Sequence, residues 1–346
     1  MVSLLFGQLI RILLKMKKTK ILPLLLSFFV TLSALYIAFK GTTISGIFSY
    51  ILQGKYIYVA PALLSLWLYC YIRSVRWGLF FDRKLDNKLL FSATVVGLMA
   101  NNILPARTGE VYKAYILGHK SSVSKSYCLG TVLLERLWDA LTLVLFSVVI
   151  FIWVGLFSTT GLEKALYNIH VKQLALIFGI LCFLILLFLL IWVRNSGYFI
   201  KLICRFAGVF SLSFADFCSV RLTKLSEGLV IFRGWKKVSM IAVLSLIIWL
   251  MAALTIYYMF KVFSIELGLM AACLLLVVIG LFVMIPSLGS LGTMQMGFIV
   301  GLGAFGINKA DALSFSLVYQ FVDTMPVILA GLILFWKDGY AFGKIK

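Results

Sequence analysis

The sequence predicts an all-α integral membrane protein: a polytopic helical bundle of about 6–8 spans with two Pro/Gly-broken re-entrant segments, paired as in an inverted repeat. Three observations predict it. First, 63% of the 346 residues are hydrophobic and only 13% are charged, against roughly half and a quarter in soluble domains. Second, the apolar runs are long and continuous, not alternating about ten residues at a time as in a β-barrel. Third, two of the apolar runs do not end cleanly but run into proline and glycine, at "NNILPARTGE" and "MIPSLGSLG".

The charge follows from the same reading. The formal net charge is +20, which in a soluble chain would suggest nucleic acid. Here the basic residues hold loop ends on the cytoplasmic side, next to anionic lipid, and no nucleic-acid partner is expected. The six cysteines include no CxxC pair, and the two histidines, His119 and His170, are far apart with no HExxH motif. No metal site, disulfide framework or cofactor is expected.

Full spans are predicted at 21–39, 56–72, 127–154, 172–193, 238–260 and 312–336, with shorter apolar segments at 89–104 and 269–285. The whole chain, 1–346, reads as one transmembrane domain. No cleavage site follows the basic arm 1–20, and Lys40 closes a full-length span behind it. That arm carries Arg11, Lys15, Lys17, Lys18 and Lys20 and belongs in the cytoplasm. The 40–55 segment carries little charge and reads as an outer loop. The 73–88 loop, with Arg73, Arg76, Arg83, Lys84 and Lys88, is inside again. Arg73 and Arg76, beside Trp67, Tyr71 and Trp77, read as interface anchors.

The next step conflicts with simple threading. If 89–104 crossed the membrane, the 105–126 loop with Arg107, Lys113, Lys120 and Lys125 would lie outside, against its charge. The conflict disappears if 89–120 is a cytoplasmic re-entrant hairpin that turns near Pro105. Then 127–154 runs outward and 172–193 returns. The basic, amphipathic segment 194–237 lies at the cytoplasmic interface, and 238–260 runs outward. The tail carries Lys337, Lys344 and Lys346, so the N- and C-termini are both cytoplasmic and the protein is multi-pass in the cytoplasmic (inner) membrane. The second broken segment, 269–307, either dips in and returns or crosses twice; charge does not separate the two.

Broken backbone at membrane depth is tolerated only where protein buries it or where it lines a wet cavity, and paired breaks point to a transport site. In the first break, Pro105 and Gly109 interrupt the helix. Thr108 is placed to cap a helix beginning at Gly109, with Glu110 in its first turn. Asn101, Asn102, Arg107, Glu110 and Lys113 then form a candidate site for an anionic lipid headgroup, Arg107 and free backbone N–H groups cradling the anion. The alternative is that Arg107 and Lys113 meet lipid phosphates at the surface. In the second break, Pro286, Gly289, Ser290, Gly292 and Thr293, with Ser287 and Gln295, supply uncharged polar groups for the freed backbone or for a headgroup path.

Two sets complete a candidate polar interior. "LLERLWDAL" places Glu135 and Asp139 on one helix face, i and i+4, with Arg136 beside them. Two like charges there want a cation, which Arg136 or Arg107 would supply. The uncharged stretch 140–162 is long enough to span alone, so this group sits either at the interface or in mid-bilayer. Asp323 lies near the centre of the 312–336 run, with Tyr319 and Gln320 one turn before it and Pro326 after it. An ionisable residue at that depth costs about 3 kcal/mol unless it faces the bundle interior or a partner.

With these residues in hand, the chain resembles the lysylphosphatidylglycerol synthase transmembrane-region family, which includes the flippase half of the bacterial multiple peptide resistance factor. The resemblance covers nearly the whole chain and rests on "NNILPARTGEVYKAYIL", "LLERLWDAL" and "IPSLGSLGTMQMGFIVGLGAFGINKADALSFSLVYQFVDTMPVILAGLI". It implies a helical bundle with re-entrant segments that moves lipids or lipid-linked groups between leaflets. By motif it carries over Asn102, Pro105, Arg107, Gly109 and Glu110; Glu135, Arg136 and Asp139; and Pro286, Gly289, Gly292 and Thr293. Gln320 departs from relatives that often have a basic residue after the tyrosine. The chain also shows no soluble aminoacyl-transferase domain, so synthesis of a lysyl lipid is not expected of it.

The expected function is thus lipid flipping or lipid transport, not enzymatic catalysis. The expected partners are a membrane phospholipid or a polyprenyl-linked lipid, and a separate lipid-modifying synthase or glycosyltransferase. A membrane glycosyl or phosphoglycosyl transferase, with Asp323 or Glu135 as base, is the competing reading, and a non-transporting partner of a lipid synthase is the third. No GxxxxGK[ST] motif is present, so energy would come from a gradient or a partner.

Overall fold

The computed structural model describes residues 18–104, 108–157 and 235–337, with short islands at 180, 184, 197–198 and 201–205. Among these residues there are helices and turns and no strand. The expected span 172–193 and the basic segment 194–237 fall almost wholly outside the described residues, as do residues 1–17 of the basic arm.

The chain opens with α1, Lys18–Phe39, which bends by 80° into a short helix α2, Ile44–Leu52. The low charge of 40–55 reads as an outer loop, but charge does not report a short apolar helix. The apolar stretch ISGIFSYIL instead forms two and a half turns, burying Ile47 while Ile44, Phe48 and Leu52 face outward. Lys309 closes the corner by donating to the carbonyls of Ile37 and Lys40 at 2.8 and 2.6 Å, which satisfies the open end of α1.

One 3-10 turn, Tyr56–Tyr58, leads into α3, Val59–Gly78. Next come α4, Asn87–Ile103, capped by Asp86 accepting from the Lys88 N–H, then α5, Gly109–Lys120, and α6, Lys125–Phe157. After the undescribed stretch follow α7, Trp235–Val262, α8, Leu269–Val283, α9, Thr293–Gly303, and α10, Lys309–Lys337.

Three of these helices, 56–78, 236–262 and 309–337, are each long and apolar enough to cross a membrane, or four spans if the bent α1–α2 pair counts as one, among the described residues. The two hairpins differ from them. Helices α4 and α5 have 17 and 12 residues, and α8 and α9 have 15 and 11. At about 1.5 Å per residue these arms are about 16–26 Å long, shorter than a hydrocarbon core of about 30 Å.

The arms of the first hairpin touch backbone to backbone. A Cβ at Gly109 would run into the carbonyl oxygen of Gly97 and stand 2.6 Å from the backbone nitrogen of Asn101, so only glycine fits. Helix α3 lies along α7, and α10 lies along α4 and α9. Apolar packing gathers in two centres. One joins α7, α8, α9 and α10 around Phe260, Phe298, Phe315 and Tyr319. The other joins the end of α3 to α4, α5, α6 and α10 around Trp77, Leu90, Met99, Tyr112 and Phe335. Helix α10 therefore contributes to both and ties the two hairpins into one body. Large apolar side chains such as Phe29, Phe48, Leu133, Phe321 and Ile333 cover the outside, as a lipid-facing surface requires.

Candidate functional site

Seven charged side chains from three helices meet beside the turn of the first hairpin. Glu135 on α6 is at their centre, with no exposed side-chain surface. Its Oε2 accepts from Lys113 Nζ at 2.6 Å, and its Oε1 accepts from Arg73 Nε at 3.2 Å and Arg76 Nη2 at 3.4 Å. One turn further on, Asp139 accepts from Arg76 Nη2 and pairs with Arg136 at 3.1 Å and Arg73 at 3.7 Å. Glu110, in the first turn of α5, pairs with Arg136 at 3.3 Å and Arg73 at 3.6 Å, and accepts from Asn101 Nδ2 at 3.3 Å.

Neutral groups fix the basic side chains from behind. Arg73 donates to the Tyr69 hydroxyl at 2.6 Å, and Arg76 donates to Ser245 Oγ on α7 at 2.8 Å. The Lys113 ammonium lies 4.0 Å from the centre of the Trp77 ring, a cation–π contact, and Trp77 donates in turn to Thr131. The set holds four basic groups, Arg73, Arg76, Lys113 and Arg136, against three carboxylates, Glu110, Glu135 and Asp139. It carries one formal positive charge in excess. Buried Arg76 Nε and Arg136 Nε have no hydrogen-bond partner among the described residues. Arg136, with 37% of its side chain exposed, forms the open edge; Arg73, Arg76, Lys113 and Glu135 are enclosed.

This geometry revises the reading of Arg73 and Arg76. They are not anchors at the lipid surface but are 6% and 0% exposed, turned inward to the carboxylates of α6. The expected pairing of Glu135 and Asp139 with a cation is present, and the cations are these two arginines and Lys113 as well as Arg136. A signal was available: two arginines at i and i+3 on one run, and two carboxylates at i and i+4 on another, are complementary helix faces. Ser245 and Tyr69 carried no such signal. Lys113 is also turned inward, onto Glu135, not toward a lipid surface. Thr108 occupies the N-cap position of α5 as expected, with Glu110 in the first turn, but its side chain makes no capping hydrogen bond. Pro105 and Arg107 lie outside the described residues.

The second break is built from backbone satisfaction. Gly292 has φ +79 and its N–H donates to Gln295 Oε1 at 2.7 Å. Ser287 and Thr293 share a hydroxyl hydrogen bond of 2.8 Å, and Thr293 donates to the carbonyl of Ser290 at 3.2 Å. The Leu288 N–H donates to Thr31 Oγ1 on α1 at 2.9 Å. Gln295 Nε2 donates to Gln320 Oε1, and Gln320 Nε2 donates to the carbonyl of Gly289 at 3.0 Å. Pro286 is exposed at the start of the turn.

The two breaks meet. Gly289, with φ +55, lies so close to the carbonyl of Asn102 that a Cβ there would stand 2.6 Å from the oxygen. Residues 288–290 pack directly on α4. The expected polar interior, however, is two nodes. Glu135, Arg136 and Asp139 belong to the ion cluster. Gln320 belongs to the amide chain of the second break. Asp323 joins neither by an ion pair among the described residues; it is half-buried on α10, within electrostatic reach of Cys70 and Tyr319. No group of His, Cys, Asp and Glu among the described residues is arranged to hold a metal.

Residues 22–331 match the family model described as the lysylphosphatidylglycerol synthase transmembrane region. A UPF0104 membrane protein of Methanothermobacter thermautotrophicus is 24% identical over 294 residues, covering 81% of this chain and 83% of the relative. Two UPF0104 membrane proteins of Methanocaldococcus jannaschii are each 26% identical, over 247 and 293 residues, covering 69% and 79% of this chain and 94% and 82% of theirs. No solved structure gives a significant match.

Proposed function

This chain belongs to the lysylphosphatidylglycerol synthase transmembrane-region family, and from that premise we propose that it moves a lipid with an anionic or polyprenyl-linked headgroup between the leaflets of the cytoplasmic membrane. The observation that carries the reading is the ion cluster. Burying charge is costly, and a charge left without a counter-charge costs most. This cluster keeps a positive excess and one partly open edge at Arg136. There, among the described residues, guanidinium nitrogens of Arg136 without a hydrogen-bond partner stand with Glu110 Oε2 and Asn101 Oδ1, which likewise have none. Such a site attracts a phosphate group and gives its oxygens guanidinium forks to bind.

The hairpins supply the route. The arms of both are too short to cross the hydrocarbon layer, which supports re-entrant segments entering from opposite faces. Their tips touch at Asn102 and Gly289, so the polar groups of each continue into the other. The headgroup enters past Arg136 and the Asn101–Glu110 pair from the cytoplasmic side. It then meets the Gln320–Gln295 chain and the Ser287–Thr293 pair of the second break, while the acyl or prenyl chains stay in the bilayer.

Purified protein in proteoliposomes should accelerate leaflet exchange of a fluorescent anionic phospholipid or polyprenyl phosphate, and Arg136→Ala should slow it about tenfold or more, the scale for loss of a charge-assisted contact. No acceleration with any anionic lipid offered would overturn the proposal.

A further inference from the structure

Asp323 is not used by the headgroup route just described, yet it occupies a costly position. It is the middle residue of α10, 14 residues from each end of Lys309–Lys337, about 21 Å along the helix from either. Its side chain is half-buried and makes no ion pair or hydrogen bond among the described residues. An unpaired carboxylate at that depth costs about 3 kcal/mol when ionised, and the cheapest way to remove the charge is to take up a proton.

Its surroundings favour a proton over a metal cation. Among the described residues Cys70 of α3 and Tyr319 of α10 lie within electrostatic reach of it, and Tyr69 lies within reach of Tyr319. Helix α3 also carries Tyr71 and the cations Arg73 and Arg76, the two arginines engaged with Glu135 and Asp139. Cys70, Tyr319 and Tyr69 are uncharged in ordinary water at neutral pH, and among the described residues no second carboxylate stands with Asp323 to share a metal ion. The helices packed on α10 otherwise offer little. Helix α9 carries no titratable residue, and α4 carries only Lys88 in its first turn. Helix α2 carries only Tyr50, which lies near Asp311 instead. On α7 the titratable residues are confined to its two ends, Lys236 and Lys237 at one and Tyr257, Tyr258 and Lys261 at the other.

Asp323 also stands between the two polar nodes. Gln320, one turn before it, holds Gly289 of the second break against Asn102 of the first. On the other side Cys70 lies within electrostatic reach of both Asp323 and Arg73, and Tyr319 within reach of both Asp323 and Tyr69, whose hydroxyl accepts from Arg73. Asp323 is thus one helix turn from the Gln320–Gly289 contact and shares Cys70 with Arg73 as an electrostatic neighbour.

We propose that Asp323 is a proton-binding site through which a proton gradient drives the movement of lipid. It rests on the transport reading above and names a gradient as the energy source for that movement. The proton adds to a carboxylate oxygen on the side of higher proton concentration and leaves on the other. The neutral acid releases the field on the Gln320–Gly289 contact, and the ionised form restores it.

Two measurements test this. The infrared spectrum of purified protein should show a protonated-carboxyl carbonyl band that titrates with pH and is absent from Asp323→Asn. This holds whether or not lipid moves. In proteoliposomes an imposed pH gradient should raise lipid exchange by wild-type protein several-fold. The ratio with and without the gradient should fall to one in Asp323→Asn and recover in Asp323→Glu. A band that persists in Asp323→Asn, a wild-type rate indifferent to pH gradients, or a response to a sodium gradient at constant pH in its place would overturn the assignment. Absence of any lipid exchange would instead count against the transport reading, leaving the infrared titration to decide on the proton site.

Discussion

The carbonyl of Asn102 fills the space that a side chain at Gly289 would need, so the tips of two hairpins 187 positions apart in sequence close on each other through backbone alone. Both constraints on Gly289, its left-handed φ of +55 and the 2.6 Å approach, select glycine. Gly289→Ala is expected to lose about 1–2 kcal/mol from the left-handed conformation alone, and more from the overlap. Thermal unfolding in detergent measures it, and an unchanged Tm would show that the tips are not held together in the membrane protein as purified.

Glu135 is the shared counter-charge of Lys113, Arg73 and Arg76. Its removal leaves three buried cations facing one another and Asp139. Glu135→Ala is therefore expected to cost about 3–5 kcal/mol, the scale for removing one partner of a buried ion pair. That is enough to abolish recovery of monodisperse protein by size-exclusion chromatography. Glu135→Asp, which keeps the charge on a shorter arm, should recover part of the yield. Wild-type yield of the alanine variant would contradict the central place given to this carboxylate.

How much of this site was legible before folding depended on whether a residue's partner was local. The two breaks were visible because proline and glycine act on their own backbone, and the helix start at Gly109 followed from Thr108 and Glu110 beside it. Arg73 was misread because its partner Glu135 is 62 residues away, and an arginine at the end of an apolar run looks the same whether it turns outward to lipid or inward to a carboxylate. Gln320 and Gln295 look unremarkable alone; their link exists only because α9 and α10 pack together. Helix α2 reads as a loop from its low charge, because loop charge reports sidedness and does not detect a short apolar helix bent 80° from the end of a longer one.

Gln295 and Gln320 should behave as a unit. Gln320→Ala leaves the Gly289 carbonyl and Gln295 Nε2 without their partner, and Gln295→Ala leaves Gln320 and the Gly292 N–H so. Each buried group left unmade costs about 1–3 kcal/mol. Because both changes break the same link, the double variant should lose less than the two single losses added together. Strict additivity of the Tm shifts would show that the two amides act separately.

Arg73 spreads its guanidinium over four groups: Nε on Glu135, Nη1 on Tyr69, and Nη2 toward Glu110 and Asp139. An ammonium is a point charge and reaches only part of that set. Arg73→Lys is expected to keep the fold, since the charge stays, while slowing lipid exchange about tenfold, the equivalent of one lost charge-assisted hydrogen bond. Wild-type exchange by this variant would mean that only the charge, and not the fork, is used.

The short arms of the α4–α5 hairpin lead to a prediction about sidedness. If the hairpin enters and leaves by one face, residues before α4 and after α5 share that face. Lys84 and Lys120 are both exposed at those ends, and Lys40 is exposed at the corner between α1 and α2. In a background with its six native cysteines replaced by alanine or serine, Lys84→Cys and Lys120→Cys should both be modified by an impermeant thiol reagent only from the cytoplasmic side. Lys40→Cys should be modified only from the other side. The charges near Lys120 agree with this, because the cytoplasmic side retains basic loops. Labelling of Lys120→Cys from the outside would mean that α4 crosses the bilayer in spite of its length. It would place the ion cluster and the Asn102–Gly289 contact at different depths from those the lipid route requires.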